Sequence, residues 1–372
     1  MPVSQLSKHL VAAFSGQNER SDFPTTDPTL LFDIAEGMHA IEALTAAIGW
    51  LHLCEWLEEN PAKEDRICRA LELSPRPAHV LLTLLASFGI VRRDDQGTYS
   101  LTQLAREHLL PNSPWSMVAC FDALKNRPTC LDMLAVLRTG KPIGAPEQDE
   151  SESAPWAEGM DNEVFAEYFL NAIDSRNTYL SHVLAERLDL SQHSSILDVG
   201  GGSGIYSCAL VSRNPNQRAT VLEKPPVDTV ARRAIERRGL ADRVSVTSGD
   251  MLKHPLPREH DVHLYSNVIH DWDENTVTRL LCSSYDALPH GGQIVIHDAF
   301  LDEDETGPRA VAEYSVLLMS FTSGRCYSIK EMGVLLEKVG FVDVAHRPTA
   351  VHRDVITAFK PHDPTFIGQT KL

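Results

Sequence analysis

The sequence predicts a chain of two parts: a mainly α-helical N-terminal part, then an α/β part built on an open, doubly wound parallel sheet. Apolar residues recur at three- and four-residue spacing along TLLFDIAEGMHAIEALTAAIGWLHLCEWLEE, which is typical of packed helices. From Ser194 onward, short apolar strand-like runs alternate with helical segments, which is the pattern of βαβ units. The length of 372 residues allows two or three domains of ordinary size.

Composition and charge exclude several classes of partner. The chain has 34 Lys and Arg residues against 51 Asp and Glu residues, which is a formal net charge of −17. Such acidity argues against binding to nucleic-acid phosphates or to anionic lipid, so we expect neither nucleic acid nor a membrane as a partner. The seven cysteines form no C-x-x-C pair, and no apolar window is long enough to span a bilayer. We therefore expect a reduced, cytoplasmic protein.

Residues 62–103 have the outline of a winged helix, with two helices followed by a hairpin whose turn is Asp94-Asp95-Gln96-Gly97. This outline raises the alternative of a DNA-binding regulator. A recognition helix needs basic and amide side chains, whereas the second helix, AHVLLTLLASFGIV, is mainly aliphatic. We therefore expect a structural or dimerising module.

The expected division of the chain is a helical part at 1–140, a linker loop with a connecting helix at 141–180, and the α/β part at 181–372. The stretch 141–159 is rich in Pro, Gly, Ser and acidic residues, so we expect an exposed loop there. Ligands of open parallel sheets bind at the carboxyl ends of the strands, so the residues that follow each strand are the candidates for a site.

The first strand of the α/β part ends in a glycine-rich loop. Gly200, Gly202 and Gly204 follow an acid, Asp198, in a G-x-G-x-G pattern that departs from the G-x-G-x-x-G of dinucleotide binders. Glycines allow the backbone to approach a ligand closely, and the next helix directs its N–H groups at the same place. Because a carboxylate would repel a pyrophosphate, Asp198 indicates an ammonium group on the ligand.

The next two strands end in further ligand-binding candidates. Glu223 lies about 20 residues beyond the loop, where a carboxylate can accept hydrogen bonds from ribose hydroxyls. Asp250 and Met251 follow the third strand and offer an acceptor for an exocyclic amine beside an apolar surface for an adenine ring. Ammonium, ribose and adenine sites in this order together describe S-adenosylmethionine.

Five segments together resemble the S-adenosylmethionine-dependent O-methyltransferases that act on small natural products: LDVGGGSG, VLEKPPV, SGDM, NVIHDWDE and GGQIVIHD. The resemblance covers essentially the whole chain, because this family carries an N-terminal, winged-helix-like dimerisation domain. It implies a Rossmann-like class I methyltransferase domain, cofactor contacts from Gly200, Glu223, Asp250 and Met251, and a homodimer formed through the N-terminal domain.

The resemblance also implies the catalytic residues. The family's general base is the His of the H-D-W segment, here His270, and its acidic partner corresponds to Asp298. A phenol of pKa ~10 is mostly protonated at neutral pH, so a base of pKa ~6.5 suits its activation. Many plant members have a second acid at the position of Cys326, so this chain departs from their pattern.

Two other interpretations of these histidines remain open. His270 is alternatively a helix-start residue beside a capping Asp271. Residues 259–263 with His297 and Asp298 suggest a metal site, but His260 and His263 are three apart and so face opposite sides of a strand. We therefore expect no metal.

Aromatic and thioether side chains supply the candidates for the acceptor pocket, because they form a flat, adaptable apolar wall. We expect the pocket to draw on the helix before the first strand, with Phe165, Tyr168, Phe169 and Tyr179, and on Tyr314–Phe321. The five candidates taken from this region and from the segment after it are Phe165, Tyr168, Met319, Cys326 and Tyr327. The sequence therefore predicts an O-methyltransferase for a hydroxyl of a small aromatic or polyketide-like metabolite. The alternatives are a C- or N-methyltransferase, a cofactor-binding enzyme with other chemistry, and the winged-helix DNA-binding regulator.

Overall fold

The computed structural model describes residues 23–145 and 158–362. Most of the predicted exposed loop 141–159, and most of its acidic run, lie outside the described residues. Within the N-terminal part, the helices and short strands follow the helix–helix–hairpin outline expected of a winged helix. Their bounds are α1 Thr29–Glu36, α2 Ala40–Thr45 with a π-helical turn Ala46–Trp50, α3 Leu53–Glu59, β1 Ala62–Lys63, α4 Glu64–Leu71, α5 Pro75–Ser87, β2 Val91–Arg93, β3 Thr98–Leu101, α6 Gln103–His108, α7 Val118–Asp122 and α8 Pro128–Thr139.

Helix α5 is a core helix, as its aliphatic sequence predicts. It begins at Pro75, in the Ser-Pro-Arg-Pro segment that separates the two helices of the outline. The missing N–H of proline costs no hydrogen bond at a helix start. Its aliphatic side chains from Val80 to Leu85 are buried in the N-terminal core. Antiparallel β2 and β3 form the predicted hairpin, and β1 pairs with the other side of β3. These side chains stabilise the N-terminal part and are not available to read a DNA groove.

A long helix connects the two parts, and the α/β elements follow it. They are α9 Glu163–Arg187, β4 Ser195–Val199, α10 Ile205–Arg213, β5 Arg218–Glu223, α11 Val227–Arg237, β6 Val244–Ser248, β7 Val262–Ser266, a 3₁₀ turn Ile269–Asp271, α12 Glu274–Ala287, β8 Gln293–Asp298, α13 Arg309–Phe321, α14 Ile329–Val339, β9 Val342–Ala350 and β10 Arg353–Phe359. Because α9 continues without interruption past residue 180, the expected boundary at 180/181 falls inside a helix. Helix α13 packs into the N-terminal core, so the two parts share apolar contacts.

The α/β part contains a seven-stranded sheet in the order β6-β5-β4-β7-β8-β10-β9. Strands β4 to β8 pair in parallel, as the βαβ alternation predicts. Strand β10 pairs antiparallel with both β8 and β9, so the sheet is mixed, with the predicted parallel strands as its larger part. No helix separates β10 from β9, so a hairpin joins them.

Helices cover both faces of this sheet. Ile196 and Leu197 are neighbours on β4, yet they belong to different apolar clusters because alternate side chains of a strand point to opposite faces. Helices α9, α10 and α11 pack on one face, whereas α12 and α14 pack on the other. Among the described helices, none is both long enough and apolar enough to cross a membrane.

Candidate active site

A cavity of about 610 Å³ lies at the carboxyl ends of the central strands, between the sheet, α9 and α13. Its position agrees with the rule that open α/β sheets bind ligands at this edge. The cavity brings together side chains and glycines from five separate loops. The predicted site residues that line it are Gly200, Gly202, Glu223, Asp250, Met251 and His270.

The glycine loop between β4 and α10 has a backbone that other residues adopt only with strain. Gly200, Gly202 and Gly204 have φ values of +67°, +57° and +74°. Gly201 is constrained by space instead, since a Cβ there would lie 2.4 Å from the Cγ atom of Asp198. The loop therefore folds tightly over the Asp198 carboxylate.

Asp198 lies beneath this loop and does not line the cavity. Its Oδ2 atom accepts a hydrogen bond of 2.7 Å from the Ser207 hydroxyl, whereas Oδ1 has no hydrogen-bond partner among the described residues. Burial raises the pKa of the Asp198 carboxyl to about 6. Gly201 separates this carboxylate from the cavity, so the structure does not bring it to a ligand's ammonium group as the sequence suggested. Gly204 also does not line the cavity; it is the residue that precedes the first turn of α10.

Glu223 ends β5 and faces the same loop. One of its oxygens accepts a hydrogen bond of 2.9 Å from the backbone N–H of Gly202, and the other accepts one of 3.1 Å from that of Lys224. Burial nevertheless raises the pKa of Glu223 to about 7. The carboxylate lacks enough donors to offset its desolvation, and hydroxyl donors of a bound ligand would supply them.

His270 lies in the short 3₁₀ turn that follows β7, and Asp298 ends the neighbouring parallel strand β8. The His270 Nδ1 atom is hydrogen-bonded to Oδ1 of Asp298, and the backbone N–H of His270 donates to Oδ2 at 3.3 Å. Burial of the imidazole disfavours its protonation, but the negative charges of Asp298 and Asp271 outweigh this effect and raise the pKa of His270. The structure thus brings the two predicted catalytic residues into direct contact at the cavity.

Asp271 also lines the cavity, a position that the sequence analysis considered only as a helix cap. Its Oδ1 atom lies 3.6 Å from the Nε2 atom of His270. Burial raises the pKa of Asp271 to about 6, although the His270 charge opposes this shift. The ring of Tyr314 packs edge-on against the imidazole, with the ring centroids 5.6 Å apart. Two cavity-lining residues, Asp271 and Tyr314, therefore flank the His270 imidazole.

A cluster of buried ionic groups lies next to His270 and Asp298, and the sequence analysis did not predict it. Arg353 of β10 is 1% exposed and donates to both carboxylate oxygens of Glu36, at 2.7 and 3.2 Å. Arg176 of α9 also donates to Glu36, at 3.0 Å, and both guanidinium groups lie against the ring of Tyr314. These residues come from the two ends and the middle of the chain, so no local spacing signals the cluster.

The five predicted acceptor-pocket residues do not line the cavity. Phe165 and Tyr168 are exposed, the latter by 67%, whereas Met319 and Cys326 are fully buried in the N-terminal core. The Tyr327 hydroxyl donates to the backbone carbonyl of Trp272 at 2.7 Å. The backbone N–H of Cys326 donates to the Ser315 hydroxyl at 3.1 Å.

The two predicted helices do form the wall, and the predicted segments include Phe169 and Tyr314, which line it. Phe165, Tyr168 and Met319 lie on other faces of these helices, whereas Cys326 and Tyr327 follow α13 in the chain. The cavity wall consists of residues at helical spacing on α9 and α13, which project from one side of each helix. They are Phe169, Leu170, Ile173, Arg176 and Asn177 on α9, and Tyr314, Leu317, Leu318 and Phe321 on α13. The recurrence at three- and four-residue intervals is the sequence signal that would have identified them.

The histidines considered for a metal site contact other side chains. His263 Nδ1 lies 3.0 Å from the Ser284 hydroxyl, and His297 Nε2 lies 3.1 Å from that of Thr349. Burial lowers the pKa of both imidazoles to about 3, so both are neutral at physiological pH. Their hydrogen bonds assign them to the packing of the sheet.

Comparisons with known proteins agree with this geometry. The family model described as the O-methyltransferase domain matches residues 146–342, and the O-methyltransferase dimerisation domain matches residues 32–111. A 3-hydroxy-5-methyl-1-naphthoate 3-O-methyltransferase of Streptomyces sahachiroi is 33% identical over 85% of this chain and 90% of its own length. An L-tyrosine C(3)-methyltransferase of Streptomyces lavendulae is 29% identical over 93% of this chain and 95% of its own length.

Among solved structures, an O-methyltransferase family 2 protein of Planctomyces limnophilus in complex with apigenin superimposes with a TM-score of 0.80. It is 32% identical to this chain, and the alignment covers 91% of this chain and 97% of the other. Both domain models, the relatives and the fold therefore identify the same family, which confirms the resemblance of the sequence motifs. The chain belongs to the S-adenosylmethionine-dependent O-methyltransferases that join this catalytic domain to an N-terminal dimerisation domain.

Proposed function

We propose that the protein O-methylates a hydroxyl group of a small aromatic or polyketide-like metabolite, with His270 as the general base. The observation that supports this proposal most strongly is the buried hydrogen bond between His270 and Asp298 at the cavity wall. Asp298 holds the proton of the imidazole on Nδ1, so the lone pair of the ring lies on Nε2. That arrangement is the one a base needs in order to accept a proton from an acceptor hydroxyl.

The cofactor half of the cavity fits S-adenosylmethionine. Glu223 has lone pairs left for ribose hydroxyls, and its pKa, raised to about 7 by burial, indicates that donors are lacking there. Asp250 and Met251 lie together at the same wall and suit an adenine ring. When bound, the cofactor supplies an electrophilic methyl group, and the residues of the chain align the acceptor and remove its proton.

The names of the relatives indicate the class of acceptor. One relative methylates the 3-hydroxyl of a naphthoate, and a solved relative is in complex with apigenin. Phe169, Leu317 and Phe321 line the other half of this cavity and offer flat, apolar surfaces. A planar aromatic acceptor would pack against such a wall and present its hydroxyl to His270.

We also propose a homodimer formed through the N-terminal part. Leu30, Leu31 and Ile34 of α1 are more than 60% exposed, and Met38 extends the same apolar surface. A patch of this kind indicates a protein interface. The dimerisation-domain match makes a second copy of this chain its natural partner. Cytoplasmic location stays a prediction from the cysteine pattern.

A labelling experiment tests the methylated atom. The protein is incubated with S-adenosylmethionine that carries a ¹³C-methyl group and with a set of phenols, naphthols and enols, and the products are examined by NMR. We expect label on oxygen and one S-adenosylhomocysteine per methyl group transferred. The tyrosine C-methyltransferase among the relatives makes carbon the main alternative, and label on carbon would overturn the O-methylation proposal.

A further inference from the structure

Arg176 places a guanidinium group on the wall of the acceptor half of the cavity. The side chain is 27% exposed, although α9 and α13 surround it. A guanidinium has five N–H donors. Among the described residues, Nη1 donates to Glu36 at 3.0 Å and Nη2 to the Tyr314 hydroxyl at 3.3 Å, while Nε has no partner. More than half of the donors of this group therefore have no acceptor within the described part of the chain.

The carboxylate that pairs with Arg176 also binds a second guanidinium group. The fully buried Arg353 donates hydrogen bonds to both oxygens of Glu36. Asp298 is held by His270, and Asp271 faces the other side of the same imidazole. Two guanidinium groups thus share one carboxylate, and the one that reaches the cavity is Arg176.

Arg176 and the proposed base, His270, contact the same tyrosine ring. The guanidinium carbon of Arg176 is 5.6 Å from the centroid of the Tyr314 ring, and the His270 ring is 5.6 Å from the same centroid. His270 and Arg176 thus contact the same tyrosine ring and line the same cavity. The planar fork of a guanidinium matches the two oxygens of a carboxylate.

We propose that Arg176 binds a carboxylate group of the acceptor, so that the preferred substrates are hydroxylated aromatic carboxylic acids. This inference rests on the proposed O-methyltransferase function and specifies its substrate class. Arg176 is then a specificity-determining residue: it anchors the acid group while the hydroxyl faces His270. An acceptor without the acid group would leave the remaining N–H donors of the guanidinium desolvated and without an acceptor, which is a strong basis for discrimination.

The test compares 3-hydroxy-1-naphthoic acid with its methyl ester in the wild-type protein, Arg176→Gln and Arg176→Lys. Arg69→Gln serves as the matched control, because Arg69 is exposed on α4 and its ion pair is with the neighbouring, exposed Asp65. We expect wild type and Arg69→Gln to prefer the acid by about 10- to 100-fold in kcat/KM. Arg176→Gln should lose this preference because its KM rises more for the acid than for the ester, and Arg176→Lys should retain part of it.

Equal use of acid and ester by wild type, or equal loss of both substrates in Arg176→Gln, would overturn the proposal. Arg176→Lys keeps the charge beside Glu36, so it serves if the Gln variant does not fold. If the wild-type protein methylates neither compound, calorimetry decides the question with protein saturated with S-adenosylhomocysteine. Tighter binding of the acid than of the ester, lost in Arg176→Gln, would support the anion site even though the methyl-transfer proposal had failed. Equal binding would contradict it.

Discussion

The Nδ1 atom of His270 is hydrogen-bonded to Oδ1 of Asp298, and the backbone N–H of His270 donates to the other oxygen of the same carboxylate. Both residues are buried, and they end or follow two neighbouring parallel strands. The carboxylate thereby fixes both the ring orientation and the position of its proton. The proposed base thus owes its orientation to the pairing of β7 with β8.

Asp298→Asn should change the pH profile of methyl transfer. Burial lowers the pKa of His270, but Asp298 is the largest of the opposing charges, and the result is a raised pKa. Since the neutral imidazole is the active form, kcat/KM should rise as pH increases through this pKa. Removing the Asp298 charge should move that rise to lower pH and reduce the plateau by about 100-fold through loss of orientation.

The measurement is kcat/KM between pH 5 and 9 with a phenolic acceptor. Asp286→Asn is the control, because Asp286 is an exposed residue of α12. A lower plateau with an unmoved profile would mean that Asp298 acts on folding or packing and not on the protonation of His270.

Gly201→Ala should weaken cofactor binding. A Cβ at this position would lie 2.4 Å from Cγ of Asp198 and 2.6 Å from its Oδ2, and that side chain is fully buried. The loop must therefore shift, and we expect a loss of about 10-fold or more in affinity for S-adenosylhomocysteine, measured by calorimetry. Gly333→Ala is the control, since its nearest neighbour would be 4.0 Å away. Equal affinities of the two variants would show that the loop does not set the cofactor site.

Asp198→Asn should alter how the stability of the cofactor-free protein depends on pH. Burial raises the pKa of Asp198 to about 6, above its unfolded value of about 3.9, so the folded state binds more protons between these values. The free energy of unfolding should therefore fall as pH rises through this range, by about 3 kcal/mol from this group. In the Asn variant the fall should be smaller, with a remainder from Glu223, whose pKa is raised to about 7.

Urea unfolding at pH 4, 5, 6 and 7 measures this effect, with Asp286→Asn as the matched substitution of an exposed acid. If Asp198→Asn and wild type show the same slope of unfolding free energy against pH, the raised pKa of Asp198 is contradicted.

Ile34→Glu should weaken the proposed homodimer. Ile34 is 64% exposed on α1, and in a twofold interface each substitution acts twice. The loss of about 2 kcal/mol of apolar burial per side chain should raise the dissociation constant by 100-fold or more. Sedimentation velocity measures the dimer fraction. Val334→Glu, at an exposed position of α14, should leave the dimer unchanged; if it dissociates the protein equally, α1 is not the interface.

The sequence predicted those parts of the fold and site that depend on local pattern. Asp198, Glu223, Asp250 and His270 were recognisable as site candidates because each is an ionisable residue at or just after the end of a predicted strand. Parallel strands align their carboxyl ends at one edge, so these residues meet wherever the alternation is correct. The position of the final hairpin, by contrast, could not be predicted, because no local pattern shows that β10 pairs with β8.

The rest depends on contacts between distant segments, for which the sequence holds no spacing signal. Glu36 and Arg353 stand at opposite ends of the chain, and only the packing of α1 against β10 and α13 brings them to Arg176. Helix faces raise a similar difficulty: Tyr168 and Phe169 are adjacent and both aromatic, but one is exposed and the other lines the cavity.

The dependence of methyl transfer on the acidity of the acceptor tests the role of His270 most directly. Wild type and His270→Ala are compared with a phenol of pKa ~10 and with a nitrated phenol that is already ionised at neutral pH. His290→Ala, at an exposed position, controls for the loss of an imidazole. We predict that His270→Ala lowers kcat/KM by about 10²- to 10⁴-fold for the ordinary phenol and by less than about 10-fold for the ionised one. Equal losses for both acceptors, or full activity with the ordinary phenol, would contradict the role of His270 as the base.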